Sequence, residues 1–149
     1  MMGVSQKSRY ALRATFELAK RHGSGPIPSN EIAAKQAIPP RFLELILNQL
    51  VGGGIIQSRR GARGGYHLIG HPRDLTVGRL LRLTEGDVTP VDCELCGGGE
   101  DCPLAENCVF SELWNRAETA MLEVYDGTSF QDLVDQHRQK EAGYLDYSI

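Results

Sequence analysis

This sequence predicts a mainly α-helical fold carrying one small β-hairpin, and three observations support that prediction. Apolar residues recur at helical spacing along most of the 149 residues. Two β-prone runs, residues 55–60 and 66–69, flank a turn rich in glycine and arginine. All four cysteines fall within residues 93–108, on a glycine-rich stretch that interrupts the helical pattern.

The elements follow in order. A first helix is predicted over residues 5–22, where Leu12, Phe16 and Ala19 recur at i, i+4 and i+7 beside Ala11, Ala14 and Leu18. Gly23-Ser24-Gly25-Pro26 ends it. Ser29 is the expected N-cap of a short second helix over residues 30–36, with Glu31 in the first turn where the helix dipole favours an anion. Pro40 suits the first turn of a third helix, because its missing N–H would have no helical partner there. Leu43, Ile46, Leu47 and Leu50 then form a stripe expected to be buried, with Arg41, Glu44, Asn48 and Gln49 facing outward. Gly52-Gly53-Gly54 stops that helix, and the hairpin with its turn, Gly61-Ala62-Arg63-Gly64-Gly65, comes next. Thr76 is expected to cap a helix holding Val77, Leu80, Leu81 and Leu83. A long helix from about Val109 to Tyr125 carries Phe110, Trp114, Ala117, Met121 and Val124, alternating by four and three in a seam close to a heptad. Thr128 and Gln131 read as the capping box of a last helix with Phe130, Leu133 and Val134, and Gly143 onward reads as a tail.

Three helices followed by a basic hairpin make the winged helix-turn-helix plan. In that plan the last of the three helices enters the DNA major groove, and the hairpin, or wing, reaches flanking backbone or minor groove. A helix of ~10–12 Å diameter fits a groove ~12 Å wide. The charge supports it. Residues 1–82 hold thirteen Lys/Arg against four Asp/Glu, whereas residues 83–149 hold three against fifteen. A basic front suits a polyanion, and the net charge of −3 hides it. Arg41 is a candidate donor to guanine and Glu44 a candidate acceptor from cytosine N4. Arg59, Arg60 and Arg63 are candidates for phosphate or a narrow minor groove, with Ser5, Gln6 and Lys7 adding backbone contacts at the first helix. Phe42 and Tyr66 read as packing residues. For each charged residue the plainer reading is a solvated surface group.

The gaps Cys93-x2-Cys96-x5-Cys102-x5-Cys108 lie on a backbone that glycine lets turn, so several sulfurs can converge. Converging thiolates suit an iron–sulfur cluster or structural zinc, and disulfides or inert thiols remain alternatives. No apolar run approaches the ~18 residues of a membrane span, and the first twenty residues lack a signal-peptide core. A cytoplasmic protein with reduced thiols is the expectation. No phosphate-binding glycine loop, His/Glu metal helix or nucleophile motif stands out, so an enzyme is not expected, though a four-cysteine electron carrier is a rival reading.

The chain resembles the Rrf-two family of bacterial transcription regulators. The resemblance rests on Ser8-Arg9-Tyr10-Ala11-Leu12-Arg13, Ile32-Ala33, Phe42-Leu43-Glu44, the wing run from Arg60 through Gly64, Gly65, Tyr66 and His67 to Leu68, Leu75-Thr76-Val77-Gly78, and the spacing of Cys96, Cys102 and Cys108 before Leu113-Trp114. It covers nearly the whole chain. It implies a homodimer bound to a palindromic operator in double-stranded DNA, in most cases a repressor, with an iron–sulfur cluster (2Fe-2S or 4Fe-4S) in the cysteine loop sensing iron–sulfur status, redox or nitric oxide. The implied division is a DNA-binding domain over 1–83, a cluster loop over 84–108, and a dimerisation helix with the C-terminal helix over 109–149. Lys7, Arg41, Glu44, Arg59, Arg60, Arg63, Gly64 and Tyr66 are then the DNA-contacting residues, and Phe110, Trp114, Ala117, Met121 and Val124 the dimer seam. The chain departs from the IscR-like pattern, which places a histidine three residues after the third motif cysteine. That position is Ser111 here. It also departs from the NsrR-like pattern, which takes an acid from the first helix, since the region reads Ser8-Arg9-Tyr10. An additional cysteine, Cys93, makes Cys93, Cys96, Cys102 and Cys108 the simplest ligand set. Asp92, Glu94, Asp101 and Glu106 are nearby oxygen candidates. A winged-helix regulator with structural zinc is the alternative.

Overall fold

The computed structural model describes residues 4–91, 102–103 and 107–146. The described residues form six α-helices and a two-stranded antiparallel sheet. Helix α1 (Gln6–Lys20) begins where the Ser5 hydroxyl accepts the Ser8 N–H at 3.2 Å. Its buried residues, among them Ala11, Ala14 and Leu18, make it the central helix, packed on α2 (Ser29–Gln36), α3 (Pro40–Gly52) and three later elements.

Helix α2 corrects the expected cap. Ser29 is its first residue, and the residue before it is Pro28, whose carbonyl accepts the N–H groups of Glu31 and Ile32 at 3.1 and 3.2 Å. Glu31 instead pairs with Arg21 and ties the start of α2 to the end of α1. Between α2 and α3, Ala37 takes a left-handed conformation (φ 49°), and the buried Ile38 donates its N–H back to the Ala33 carbonyl at 3.0 Å. A left-handed residue just past the helix end reverses the chain tightly. Pro40 then starts α3 as expected, and Leu43, Ile46, Leu47 and Leu50 are all buried.

Strands β1 (Ile56–Arg59) and β2 (Gly65–Leu68) pair antiparallel, with Ile56 opposite Leu68 and Arg59 opposite Gly65. A third segment joins them. Ile27 and Tyr66 exchange backbone hydrogen bonds, both at 2.9 Å. This close approach requires glycine next door. Gly65 has φ 147°, and a Cβ there would collide with the Ile27 carbonyl.

Helix α4 (Val77–Glu85) is capped by Thr76, whose hydroxyl accepts the Arg79 N–H at 3.2 Å. It lies on α1 through Leu80, Leu81 and the buried pair in which the Ser8 hydroxyl donates to that of Thr84 at 2.6 Å. Helix α5 (Ser111–Asp126) buries none of its residues. Helix α6 (Phe130–Asp146) returns to the first core, where Phe130 and Val134 are buried with the residues of α1 and α3. Backbone hydrogen bonds of 2.9 Å from Val77 to Thr128 and from Phe130 to Leu75 fix that return. Its cap also corrects an expectation. Ser129 and Asp132 form the box, the Asp132 carboxylate accepting the Ser129 N–H and O–H at 2.8 and 2.6 Å and the Ser129 hydroxyl accepting the Asp132 N–H at 3.1 Å. Thr128 donates instead to the Val124 carbonyl at 2.7 Å, and Gln131 to Asp135 at 2.9 Å. The helix runs through Gly143, so the expected tail is helical as far as Asp146.

Candidate DNA interface and cysteine loop

Helix α3 has two faces. The buried stripe faces α1, and the opposite face presents Arg41, Glu44, Leu45 and Asn48 to solvent. Gln49, expected to face outward, is half-buried, and its side chain donates to the Leu83 carbonyl at 2.8 Å. Phe42, expected to pack, is 55% exposed, with its ring centroid 6.2 Å from that of Tyr10. Tyr66 is half-buried and does pack on the core. The sequence reading assigned no role to Leu45, which is 69% exposed on the face that carries Arg41 and Glu44.

The wing places Arg59, Arg60 and Arg63 in solvent. None of the three, nor Arg41 or Glu44, is in an ion pair among the described residues. Gly64 holds the turn: its N–H donates to Gly61 at 2.9 Å, and a Cβ would strike the Arg59 carbonyl. Unpaired guanidinium groups on a tight hairpin keep their full charge for a polyanion. At the start of α1, Lys7 is exposed, whereas Ser5 and Gln6 have internal partners. The Ser5 N–H donates to the Glu85 carboxylate at 2.7 Å, and Gln6 accepts from Arg9 at 2.6 Å. Burial acts to raise the Glu85 carboxyl, but hydrogen bonds from Ser5 and Ser8 outweigh it and hold the group below its ordinary range, with the charge of Lys7 adding to them.

Glu85 ends α4, immediately before the cysteine loop. One turn earlier, Arg82 of α4 grips Asp126, the last residue of α5, with two hydrogen bonds of 2.7 and 2.6 Å. That bidentate contact raises the Arg82 pKa and holds the Asp126 carboxyl below its usual value. The end of α4 is therefore tied to the start of α1 through Glu85 and to the C-terminal end of α5 through Arg82.

Cys93 and Cys96, with Asp92, Glu94, Asp101 and Glu106, lie outside the described residues. Cys102 and Cys108 are free, half-buried thiols. Ser111, at the position of the absent histidine, donates its hydroxyl to the Cys108 carbonyl at 2.9 Å. Its hydroxyl proton is thus held by the backbone just before α5, which begins without a side-chain cap. Among the described residues no cluster of three or more His, Cys, Asp or Glu side chains is arranged to hold a metal. The histidines sit elsewhere. The rings of His22 and His71 meet edge-on at 5.0 Å, His67 lies in β2, and His137 stands against Phe16 at 5.4 Å with Glu141 3.2 Å from its Nε2.

On α5, Phe110 is 57% and Val124 64% exposed, while Trp114, Ala117 and Met121 are half-buried. Phe110 and Trp114 stack at 6.4 Å. An open groove of about 610 Å³ lies on the same helix, where Leu113, Ala117 and Ala120 alternate with Glu112, Arg116 and Glu123. No helix among the described residues is long and apolar enough to cross a membrane.

The comparisons with known proteins agree with this geometry. The model of the Rrf2 family, described as an iron-dependent transcriptional regulator, matches residues 4–136. The chain is 36% identical to the HTH-type transcriptional regulator CymR of Bacillus subtilis, over 98% of this chain and 99% of that protein. It is 30% identical to the HTH-type transcriptional regulator IscR of Aliivibrio salmonicida, over 89% of this chain and 77% of the relative. The solved structure of CymR, titled the global cysteine regulator of B. subtilis, superposes with a TM-score of 0.77 at 37% identity, over 91% of this chain and 98% of that one. That of T. potens IscR superposes with a TM-score of 0.74 at 30% identity, over 91% and 88%. Coverage on this scale, on a fold whose third helix presents an exposed polar face beside a basic wing, places the chain in the Rrf2 family of bacterial DNA-binding transcriptional regulators, which regulate transcription and are not enzymes.

Proposed function

We propose that the protein acts as a homodimer on a palindromic operator, in most cases as a repressor, and that an iron–sulfur cluster held by Cys93, Cys96, Cys102 and Cys108 controls it. The observation that carries this reading is α5. It starts three residues after Cys108, and it presents an apolar seam that the chain itself leaves unburied. A two-fold partner on that seam sets two α3 helices at a fixed spacing, which a palindromic site requires. Arg41 and Glu44 read bases, while Lys7, Arg59, Arg60, Arg63, Gly64 and Tyr66 position the backbone. In this reading residues 1–83 are the reader, 84–108 the sensor loop and 109–149 the dimer helix with α6, which packs back on α1.

The donor chemistry fits a cluster. Cys102 and Cys108 are free and half-buried, the Ser111 hydroxyl is engaged elsewhere, and the family description includes iron. Soft thiolates suit iron and sulfide better than the loop carboxylates do. A cluster so held supplies a group whose charge changes on oxidation, nitrosylation or loss. The chain does the rest. Ser5–Glu85 links the loop's first flank to the start of α1 beside Lys7, and Arg82–Asp126 links the C-terminal end of α5, the helix that follows the loop, to α4. A change in the loop that favours one arrangement of these ties biases the relative setting of the two readers, by as much as the two states differ in affinity for DNA.

The likeness to CymR, titled a global cysteine regulator, favours a second reading, a cysteine regulator that works without a cluster. Anaerobic purification separates the readings. Brown protein with iron and sulfide supports the cluster, colourless protein with zinc supports a structural metal, and colourless protein without metal supports the CymR-like reading. Cys93→Ser is expected to lower cluster occupancy or speed its loss in air, and Ser111→Ala to do neither. Equal iron, sulfide and decay in Cys93→Ser and wild type would remove Cys93 from the ligand set. Arg60→Ala or Arg63→Ala is expected to weaken binding to every duplex and flatten its salt dependence.

A further inference from the structure

We propose that Leu45 is a specificity residue that packs on the C5 methyl group of a thymine in the major groove, at a base pair neighbouring the one read by Glu44. The inference rests on the assignment of α3 as the reading helix. Arg41, Glu44, Leu45 and Asn48 fall at i, i+3, i+4 and i+7 and share one face, opposite the buried stripe of Leu43, Ile46, Leu47 and Leu50. Three of the four outward residues are polar and match the donor and acceptor edges of bases. Leu45 does not. It is 69% exposed, more than Phe42 at 55% or Val51 at 39% on the same helix, and it takes no part in the core of the described residues. An apolar side chain in the middle of a polar reading face gains only when something apolar covers it. In the major groove the bases offer one such group, the methyl of thymine. Glu44 sharpens the placement. Its carboxylate accepts from cytosine N4, and a C·G pair carries no methyl group, so with Glu44 on cytosine the thymine belongs at a neighbouring base pair.

The test starts from a half-site enriched from random duplexes by the full-length protein. Each thymine in it is replaced in turn by deoxyuridine, which removes only the methyl, and affinities are measured for wild type and Leu45→Ala. The expected result is one position where loss of the methyl weakens wild-type binding about fourfold, the worth of one buried methyl group, and leaves Leu45→Ala unchanged. Leu45→Ala is expected to melt with wild type, because the side chain is exposed. Specific binding with no thymine coupled to Leu45 overturns the proposal while leaving the DNA-reading assignment intact. Failure to enrich any sequence overturns that assignment, and the proposal with it.

Discussion

Helices α3 and α5 carry apolar stripes of the same kind, yet the chain buries one and leaves the other open. On α3, Leu43, Ile46, Leu47 and Leu50 are sealed by α1 and the strands, while on α5 the seam from Phe110 to Val124 buries no residue. The stripe itself says only that each helix gains by covering a face. What differs is the connection. A three-residue link with a left-handed Ala37 folds α3 straight back onto α1 and α2, whereas α5 leaves the cysteine loop touching α4 and is held there by the Arg82–Asp126 pair. Buried apolar packing is therefore concentrated around α3, and the α5 seam stays uncovered among the described residues.

The largest expected effect breaks the buried stripe. Leu47→Ala removes a fully buried side chain and is expected to cost about 2–5 kcal/mol, read as a lower denaturant midpoint with an unchanged slope. Its counterpart on α5, Val124→Asp, is expected to leave the helical circular dichroism intact and turn the dimer into a monomer in sedimentation. A dimer that survives this change would place the interface elsewhere. The next effect tests how α5 is attached. A Cβ at Gly78 would collide with the Asp126 carboxylate that holds Arg82, so Gly78→Ala is expected to swing that exposed side chain off Arg82, to cost little global stability and to raise hydrogen exchange on α5 more than on α3. Uniform protection across both helices would show that the Arg82–Asp126 grip does not hold α5. Ser129→Ala removes the hydroxyl of the α6 capping box and is expected to cost about 1 kcal/mol, with Thr128→Ala nearly silent. The reverse ranking in thermal melts would restore Thr128 as the cap.

The smallest effect is in acid. Asp126 and Asp132 are held below their ordinary pKa by hydrogen bonds from Arg82 and Ser129, and Glu85 by those from Ser5 and Ser8 against the opposing effect of burial. A depressed carboxyl adds stability above the unfolded-chain value of ~4 and loses it as the pH falls from there through the folded-state pKa. Stability is thus expected to be flat from neutral pH to about 5 and to fall below ~4. Asp126→Asn should make that fall shallower. An unchanged acid limb would mean that the pair contributes nothing, as many exposed ion pairs do.

Much of this was legible because it is local. Period 3.6 marked α1 and the buried face of α3, two β-prone runs around glycine marked the wing, and Thr76 before Val77 marked the start of α4. The misreadings came where two local signals competed. Thr128 with Gln131 and Ser129 with Asp132 both fit the spacing of a capping box. The choice fell to Ser129 because the Thr128 carbonyl is paired with the Val77 N–H and its hydroxyl with Val124, contacts made across the fold. Phe42 looked like packing from its chemistry, but its angular position on α3 turns it half outward.

Periodicity, turn chemistry and the clustering of basic residues and cysteines are written along the chain, so the sequence alone determined the main elements, the hairpin wing and the family. Tertiary structure alone decided that Ile27 extends the wing sheet, that α6 closes the core around Phe130 and Val134, that α4 is tied to the start of α1 and to the end of α5, and that Leu45 stands bare among polar neighbours. The reason is the same each time. These features depend on which surfaces meet, and a one-dimensional pattern records only that a surface needs covering and not what covers it.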